Sequence, residues 1–439
     1  MITRRVVAVL VGLASVVSPA ILYAQTTPLV KLGSDVFTSI LTASTPAGRG
    51  VVAHTPVFLE DPTVTSVTTL ISGVQRQVGS QVSLFPIGSS SGGFTYQYDS
   101  ALGTFSRTTE TFGPAFAERA ETIGRRKLSV GMNYLHASYS SLDGKDLRTG
   151  AVSFVLEHQQ LSPRSFVEGD IIRADLDMKL SSDTTVWYGT YGVTDRLDVG
   201  ISVPLVHMSM DVTYHATIQD FATRIVSPTT HLFDNGTKTK DFSGSGSATG
   251  LGDILLRAKY GIPTSGPVHL AAVLDVRVPS GNTDQMLGGG ATLTQFSIIT
   301  SGAGKKVSPH ANVGYTKASG SSAVTDQINY IGGVEYPASP KVTVLVDFIG
   351  RTVRNSQRLT DASIPHTFQQ GADASIESVP GGLSTVQLVG STLNTAWGTG
   401  GVKFSPWRSL LVSASVLVAL NDAGLRSRVT PAVGFEWAF

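Results

Sequence analysis

The sequence predicts an all-β protein, a single antiparallel transmembrane β-barrel of about twelve strands. Three observations predict this fold: a strongly alternating aromatic segment at the C-terminus, a series of similar segments from residue 127 onward, and connections of two alternating lengths between them. Bacterial outer-membrane barrels have an even number of strands, with short periplasmic turns and longer extracellular loops. All three observations therefore agree on one fold class.

The C-terminal segment 428–439 shows the pattern most clearly. Side chains of a strand point alternately to its two faces. The apolar row of this segment consists of Val429, Pro431, Val433, Phe435, Trp437 and Phe439. Because the other row carries Arg428 and Glu436 among small residues, we expect the apolar row to face lipid and Glu436 to face the lumen.

Composition excludes several classes of function. The chain has 439 residues, no cysteine and a formal net charge of +1. Without cysteine, a disulfide framework, a cysteine-based metal site and a thiol nucleophile are excluded. The balanced charge gives no reason to expect a nucleic-acid partner. We also expect no cofactor and no metal, because no motif for either is visible.

Residues 1–25 have the parts of a secretory signal peptide. Arg4 and Arg5 precede an apolar run over residues 6–23, and Ala24 provides a small-residue exit. The alternative is a permanent membrane anchor, since the run is nearly long enough to span a bilayer. Export would bring the chain to the periplasm and then to the bacterial outer membrane. We expect lipid, lipopolysaccharide and the barrel assembly machinery as its partners there.

After residue 25 no further apolar run of about 20 residues follows, so a membrane-located mature chain requires a closed barrel. Residues 26–126 lack the barrel pattern and are predicted to form an N-terminal plug or a periplasmic segment. Helical spacing from Val64 to Val78, preceded by Pro62, predicts a helix. Residues 92–105 predict a small hairpin. We favour partial occupancy of the lumen, as larger barrels are often filled by loops or a helix.

The barrel domain is assigned to residues 127–439. Its predicted strands are 127–139, 171–192, 196–217, 250–262, 267–279, 293–304, 309–318, 326–337, 341–354, 391–404, 408–420 and 428–439. Tight turns follow every second strand, whereas the long connections are 140–170, 218–249, 280–292 and 355–390. This alternation places both termini on the periplasmic side.

One further segment, Ala151 to Leu156, also has strand character. Counted alone it would give thirteen strands, so we place it in the first extracellular loop. If it spans the membrane it requires a partner, for which residues 94–107 are the best candidate. A barrel of fourteen strands is therefore the alternative architecture.

Assigning the apolar rows to lipid places the charged residues of several strands inside. A charge on the lipid face near the bilayer midplane costs about 2–4 kcal/mol, which favours this assignment. The predicted pore-lining residues are Arg196, Asp198, Asp253, Arg257, Lys259, Asp275, Arg277, Asp347, Arg351 and Glu436. They either line a solute path and set its selectivity or form cross-strand ion pairs that stiffen the wall.

Two motifs suggest chemistry that the pattern does not support. Gly244 to Gly250 resembles a phosphate-binding loop, but a strand rather than a helix follows it, which favours a flexible extracellular loop. His207, Asp211 and His215 share one strand face near the predicted outer rim. No nucleophile accompanies them, so we predict no catalytic residue and no enzyme, and a rim hydrolase is the least favoured function.

The segments 188–199, 251–254 and 421–439 resemble a known family. They are similar to the outer-membrane β-barrel transporters of the phenol meta-degradation pathway family, which are related to fatty-acid and aromatic-hydrocarbon channels. The resemblance covers most of residues 127–439. It implies uptake of small hydrophobic or aromatic compounds and no catalytic residue. The alternative function is a barrel that transports nothing and binds a partner through its long loops.

Overall fold

The fold is described from a computed structural model. It describes residues 28–47, 62–86, 88, 93–99, 104–107, 109–157, 170–221, 230–302, 304, 306–321, 323–370, 375–407 and 409–439. The predicted signal peptide, residues 1–25, lies outside these residues. Two helices precede the barrel, α1 (Leu29–Ala43) and α2 (Pro62–Ser83).

The strands are short before residue 128 and long after it. The first eleven are β1 (Ser44–Ala47), β2 (Tyr96–Asp99), β3 (Thr104–Arg107), β4 (Leu128–Leu142), β5 (Lys145–Asp146), β6 (Val152–Glu157), β7 (Ile171–Gly192), β8 (Leu197–Gln219), β9 (Thr230–Phe233), β10 (Thr239–Leu251) and β11 (Ile254–Ile262). The others are β12 (Val268–Val278), β13 (Thr292–Gly302), β14 (Ser308–Ser319), β15 (Gln327–Ser339), β16 (Val342–Ile364), β17 (Thr367–Gln370), β18 (Ser375–Ser378), β19 (Leu383–Trp407), β20 (Leu410–Ala419), β21 (Leu425–Ser427) and β22 (Val429–Ala438).

Twelve of these strands close into one antiparallel ring. Its members in order are β4, β7, β8, β11, β12, β13, β14, β15, β16, β19, β20 and β22. The ring closes between the last strand and the first, where Ala432 lies opposite Leu135 and Ala438 opposite Ser129. Twelve strands were predicted, and the count is confirmed.

The outer surface of the ring is an apolar belt. In β22 the predicted outward row is exposed, with Val433 at 44% and Val429 at 55%, whereas Thr430 and Glu436 in the other row are buried. Trp437 and Phe439 stack at 6.2 Å near the periplasmic end of the strand. An apolar band with aromatic side chains at its edge is characteristic of a bacterial outer-membrane barrel.

Two predicted loops are in large part sheet. β8 continues to Gln219 and pairs with β10, while β16 continues to Ile364 and pairs with β19 from Leu383. These extensions carry the hairpins above the apolar belt. Their inner faces bury apolar side chains against the two helices, which stabilises strand pairing beyond the membrane.

The glycine-rich segment from Gly244 to Gly250 is part of β10, so its prediction as a flexible loop was wrong. Small residues are needed there because helix α1 packs on the strand. A Cβ added to Gly244 would lie 2.5 Å from the side chain of Val36. The glycine therefore allows the helix to approach closely rather than making the chain mobile.

The segment from Ala151 to Leu156, which has strand character in the sequence, lies outside the ring. β6 pairs with β7 along one edge, between Val152↔Leu176 and Glu157↔Ile171, and completes no circuit. β2 pairs with β3 as the predicted small hairpin. Among the described residues these two features do not pair with each other, and the fourteen-strand alternative is not adopted.

Helix α2 begins at the predicted residue, Pro62. Its apolar side buries Ile71, Val74 and Val78 inside the extended hairpins. Helix α1 was not predicted. Neither helix, as far as the chain is described, combines the length and apolarity required to cross a membrane.

Candidate functional site: the barrel lumen

The extracellular half of the lumen is apolar and is occupied by the helices. We call this region the apolar compartment, and its wall is formed by Leu176, Met178, Leu180, Met208, Met210, Val212 and Tyr214. The ring of Phe37 on α1 meets Tyr214 at 5.4 Å and Phe154 at 6.0 Å, in both cases edge to face. Such pairs contribute about 0.5–1.5 kcal/mol each beyond area burial.

The position of α2 is fixed by hydrogen bonds from the loops. Asp143 accepts four: from Gln77 Nε2 (3.1 Å) on the helix, Arg358 Nε (3.0 Å), Leu359 N (2.8 Å) and Gly424 N (2.9 Å). Asp143 belongs to the first extracellular loop, and its other partners belong to two more. One carboxylate thus joins the helix to three loops.

The C-terminal end of α2 points towards the middle of the barrel, where two arginines hold it. Arg277 Nη1 donates to Ser83 O at 2.8 Å, and Arg351 Nη1 donates to Leu84 O. The last carbonyls of a helix carry partial negative charge and attract cations. Two of the predicted pore-lining residues therefore contact the N-terminal segment directly.

The periplasmic half of the lumen is polar and is crossed by residues 109–123. Arg119 forms a buried ion pair with Glu335 of β15, and Gly113 N donates to the same carboxylate at 3.1 Å. Phe112 N donates to Thr343 Oγ1 at 3.0 Å. Wall side chains here satisfy the backbone of a segment that has no sheet partner of its own.

Three further predicted residues bind the same N-terminal region. Both oxygens of Glu436 accept from Gly93 N, at 2.7 and 2.9 Å. Asp198 accepts from Ile123 N at 3.0 Å, and Lys259 Nζ donates to Glu121 O at 2.7 Å. These side chains therefore hold the segment inside the barrel.

The sequence prediction missed several members of this polar network. His310 Nε2 lies 2.9 Å from Asp347 Oδ1 and His310 Nδ1 lies 3.4 Å from Glu335 Oε1, while Lys403 Nζ donates to Phe112 O at 3.2 Å. The alternation rule applied to β14, β15 and β19 would have placed His310, Glu335 and Lys403 inside. Arg119 lies outside any strand and carries no such signal.

Between the two filled halves lies a central chamber with a cavity volume of about 170 Å³. Arg257, Asp275, Arg277 and Arg351 line it, together with Glu118 from the N-terminal segment. Its other walls are amides, hydroxyls and aliphatic side chains, among them Gln295, Asn329, Ser297, Leu255, Val273 and Ile349.

Within the chamber, Arg257 is bound by two carboxylates. Its Nε and Nη2 each lie 2.7 Å from the oxygens of Asp275, and its Nη1 contacts Glu118. Asp253 does not line the chamber; it accepts from Gly281 N (3.0 Å) and Gly289 N (2.8 Å), which anchors the loop after β12.

Arg196, a predicted pore-lining residue, lies outside the wall strands. It occupies the exposed turn before β8 rather than the strand itself. The strand begins at Leu197, one residue later than predicted, so Arg196 is the last residue of the turn.

Smaller cavities lie above and below the chamber. The upper one, about 40 Å³, is lined by Phe85, Val206, Met286 and Leu287 and shares Pro86 and Arg277 with the chamber. The lower one, about 30 Å³, is lined by Tyr188, Lys403 and Glu436 and shares Gly88 and Phe116 with the chamber. The upper cavity is largely apolar but also contains Asp253 and Arg277, whereas the chamber and the lower cavity both carry charged and polar side chains. Residues from the N-terminal segment line all three.

The histidines at the rim form ordinary surface pairs. His207 Nδ1 lies 2.7 Å from Thr249 Oγ1, and His215 Nδ1 lies 2.8 Å from Asp241 Oδ1, on the outer face of the β8–β10 hairpin. Asp211 is exposed on the same face. Among the residues that the structure describes, no three His, Asp or Glu side chains are grouped as a metal site.

Comparison with known proteins confirms the family resemblance. Residues 168–358 match the model of the family described as "Putative MetA-pathway of phenol degradation". No protein of curated function matches the sequence.

Three solved structures match the chain at low sequence identity. An outer membrane channel of Pseudomonas putida F1, of the COG4313 group, is 12% identical with a TM-score of 0.44 and is covered over 98% of its length by 73% of this chain. A Pseudomonas aeruginosa FadL homologue is 10% identical with a TM-score of 0.31, covering 73% of this chain and 91% of its own. A Ralstonia pickettii toluene transporter is 11% identical with a TM-score of 0.27, covering 72% and 90%.

Proposed function

We propose that this chain, whose residues 168–358 match the phenol-degradation family, is an outer-membrane transporter for the uptake of small hydrophobic or aromatic compounds. The observation that carries this proposal is the series of three cavities along the lumen, with Phe85, Pro86, Gly88 and residues 115–116 between them. An apolar entry followed by charged and polar regions suits a solute that leaves an apolar phase and enters the aqueous periplasm.

In this proposal residues 26–126 act as a plug. The helices fill the apolar compartment, and residues 109–123 fill the periplasmic half through hydrogen bonds and ion pairs. Passage then requires part of this segment to move. The contacts between residues 109–123 and the barrel wall are largely polar. Hydrogen bonds of this kind can be replaced by hydrogen bonds to water when solute or solvent enters.

The remaining parts of the proposal concern the cellular setting. Residues 1–25 serve as the signal peptide for export to the periplasm. The barrel assembly machinery inserts the chain, and the extended hairpins above the belt meet lipopolysaccharide.

Reconstitution tests the function directly. The mature chain and a form lacking residues 26–126 are placed in liposomes and planar bilayers, and conductance and uptake of aromatic, fatty and sugar solutes are measured. We expect low conductance from the full chain, higher conductance from the truncated form, and preference for aromatic solutes. If neither form passes ions or solutes, the transport proposal fails, and partner binding by the extended hairpins becomes the better account.

A further inference from the structure

The central chamber contains two arginines without a carboxylate partner. Among the described residues, no acid lies within 4 Å of either Arg277 or Arg351, although Arg257 beside them has two. The nearest acids have other partners, since Asp275 binds Arg257 and Asp253 binds the backbone of the loop after β12. A charged group away from water is normally paired, so this arrangement calls for an explanation.

The guanidinium N–H groups of Arg277 and Arg351 are only partly used as hydrogen-bond donors. Protein atoms accept from one nitrogen of Arg277, through Ser83 O, and from two of Arg351, through Asn329 Oδ1 (3.0 Å) and Leu84 O. A guanidinium has five N–H donors. The others remain available to a ligand in the chamber that both side chains line.

The charge of the chamber is also unbalanced. Its lining has three arginines, Arg257, Arg277 and Arg351, against two acids, Glu118 and Asp275. The difference, three minus two, leaves one positive charge. This excess lies with Arg277 and Arg351, because Arg257 is the arginine that contacts both acids.

Around these two arginines the walls are suited to an apolar body. Leu255, Val273, Leu293, Ile331, Ile349 and Phe116 line the same space, with amides from Gln295 and Asn329 between them. A planar guanidinium matches the geometry of a carboxylate, and aliphatic and aromatic walls accommodate a hydrocarbon ring.

We propose that the central chamber binds an organic anion, an aromatic carboxylate, with its carboxylate on Arg277 and Arg351 and its ring on the apolar walls. The inference rests on the proposed function and narrows it, because an uncharged hydrocarbon would use only the walls. Arg277 also lines the upper cavity, so it is positioned to meet the anion as it leaves the apolar compartment.

The test uses the full-length mature protein in detergent, with benzoate and its uncharged counterpart benzyl alcohol as probes in equilibrium dialysis. We expect benzoate to bind about tenfold more tightly than benzyl alcohol, which corresponds to one charge-assisted contact. The double variant Arg277→Gln/Arg351→Gln should lose this preference while its binding of benzyl alcohol is unchanged. The matched control, Arg173→Gln on the half-exposed outer hairpin, should behave as wild type.

A second variant separates ligand binding from the role of these arginines in holding α2. Arg277→Lys/Arg351→Lys keeps the charge but not the bidentate geometry, so it should retain part of the preference for benzoate. If the glutamine and the lysine variants both lose affinity for benzoate and for benzyl alcohol to the same extent, the arginines are structural and the proposal is wrong. Equal affinity of the wild type for the two probes would also overturn it.

The outcomes distinguish this proposal from the proposed function. Neutral aromatic uptake in liposomes together with equal binding of the two probes leaves transport standing and removes the anion site. Tight benzoate binding without conductance or uptake leaves the anion site standing and removes the transport proposal.

Discussion

Arg119 and Glu335 form an ion pair across the barrel lumen, with 3% and 1% of their side-chain surfaces exposed. Arg119 belongs to the N-terminal segment and Glu335 to the wall strand β15. Removing one partner of a buried pair costs about 3–5 kcal/mol because the other charge is left without a partner. The pair therefore determines how firmly residues 109–123 are held in the periplasmic half.

Replacing Glu335 by Gln should loosen that segment and increase conductance in planar bilayers. The exposed Glu377 provides a matched control, and Glu377→Gln should conduct as wild type. The combination Arg119→Met/Glu335→Gln should restore low conductance, since it leaves no buried arginine without a carboxylate and keeps an amide oxygen to accept from Gly113 N. Unchanged conductance in Glu335→Gln would show that the pair does not hold the plug.

Replacing Asp143 by Ala should release the extracellular loops from α2. It removes the acceptor of four hydrogen bonds, and bonds to charged groups contribute about 1.5–3 kcal/mol each. Hydrogen exchange at residues 356–361 and 422–426 should become at least about tenfold faster. Asp361→Ala is the control, because its pair with Lys145 is largely exposed and such pairs contribute at most about 1 kcal/mol.

Adding a side chain at Gly244 should displace α1 from β10. The new Cβ of Gly244→Ala would lie 2.5 Å from Val36, and overpacking of this kind costs about 1–3 kcal/mol. Hydrogen exchange in residues 29–43 should accelerate accordingly, by about fivefold or more. Gly390→Ala in β19 is the control, since nothing lies within 4 Å of its added Cβ; equal effects of both variants would contradict the packing argument.

The loop between β14 and β15 should open at low pH. Hydrogen bonds from the Tyr315 hydroxyl, Ala318 N and Lys317 lower the pKa of Asp326 to about 2. This pKa is below that of an aspartate in the unfolded chain, about 3.9. The ionised Asp326 therefore contributes fully to the stability of the loop above pH 4, and this contribution is lost as the pH falls towards 2.

Hydrogen exchange of residues 318–327, corrected for the intrinsic pH dependence, measures this loss. Asp326→Asn should exchange faster at pH 7 and show little further change between pH 4 and 2. A wild-type loop whose corrected protection is constant from pH 7 to 2 would contradict the assignment of Asp326.

The alternation of side chains determined the barrel from sequence alone. In β22, Phe435 and Trp437 face lipid and Glu436 faces inward, because the period of a strand is two and a charge on lipid is costly. The same rule supplied the twelve strands and the inward position of Asp198 and Lys259. These are local consequences of backbone geometry, which require no knowledge of distant partners.

What the inward residues bind was decided only by the tertiary structure. Glu436 accepts from Gly93, 343 positions away, and Arg351 holds Leu84 at the end of α2. No pattern links such residues, because their contacts depend on how the described parts of the N-terminal segment, such as α2 and residues 109–123, lie in a lumen that the other strands create. For the same reason the sequence placed Arg257 and Arg277 together as inward charges, while the chamber shows that only Arg257 has acids beside it.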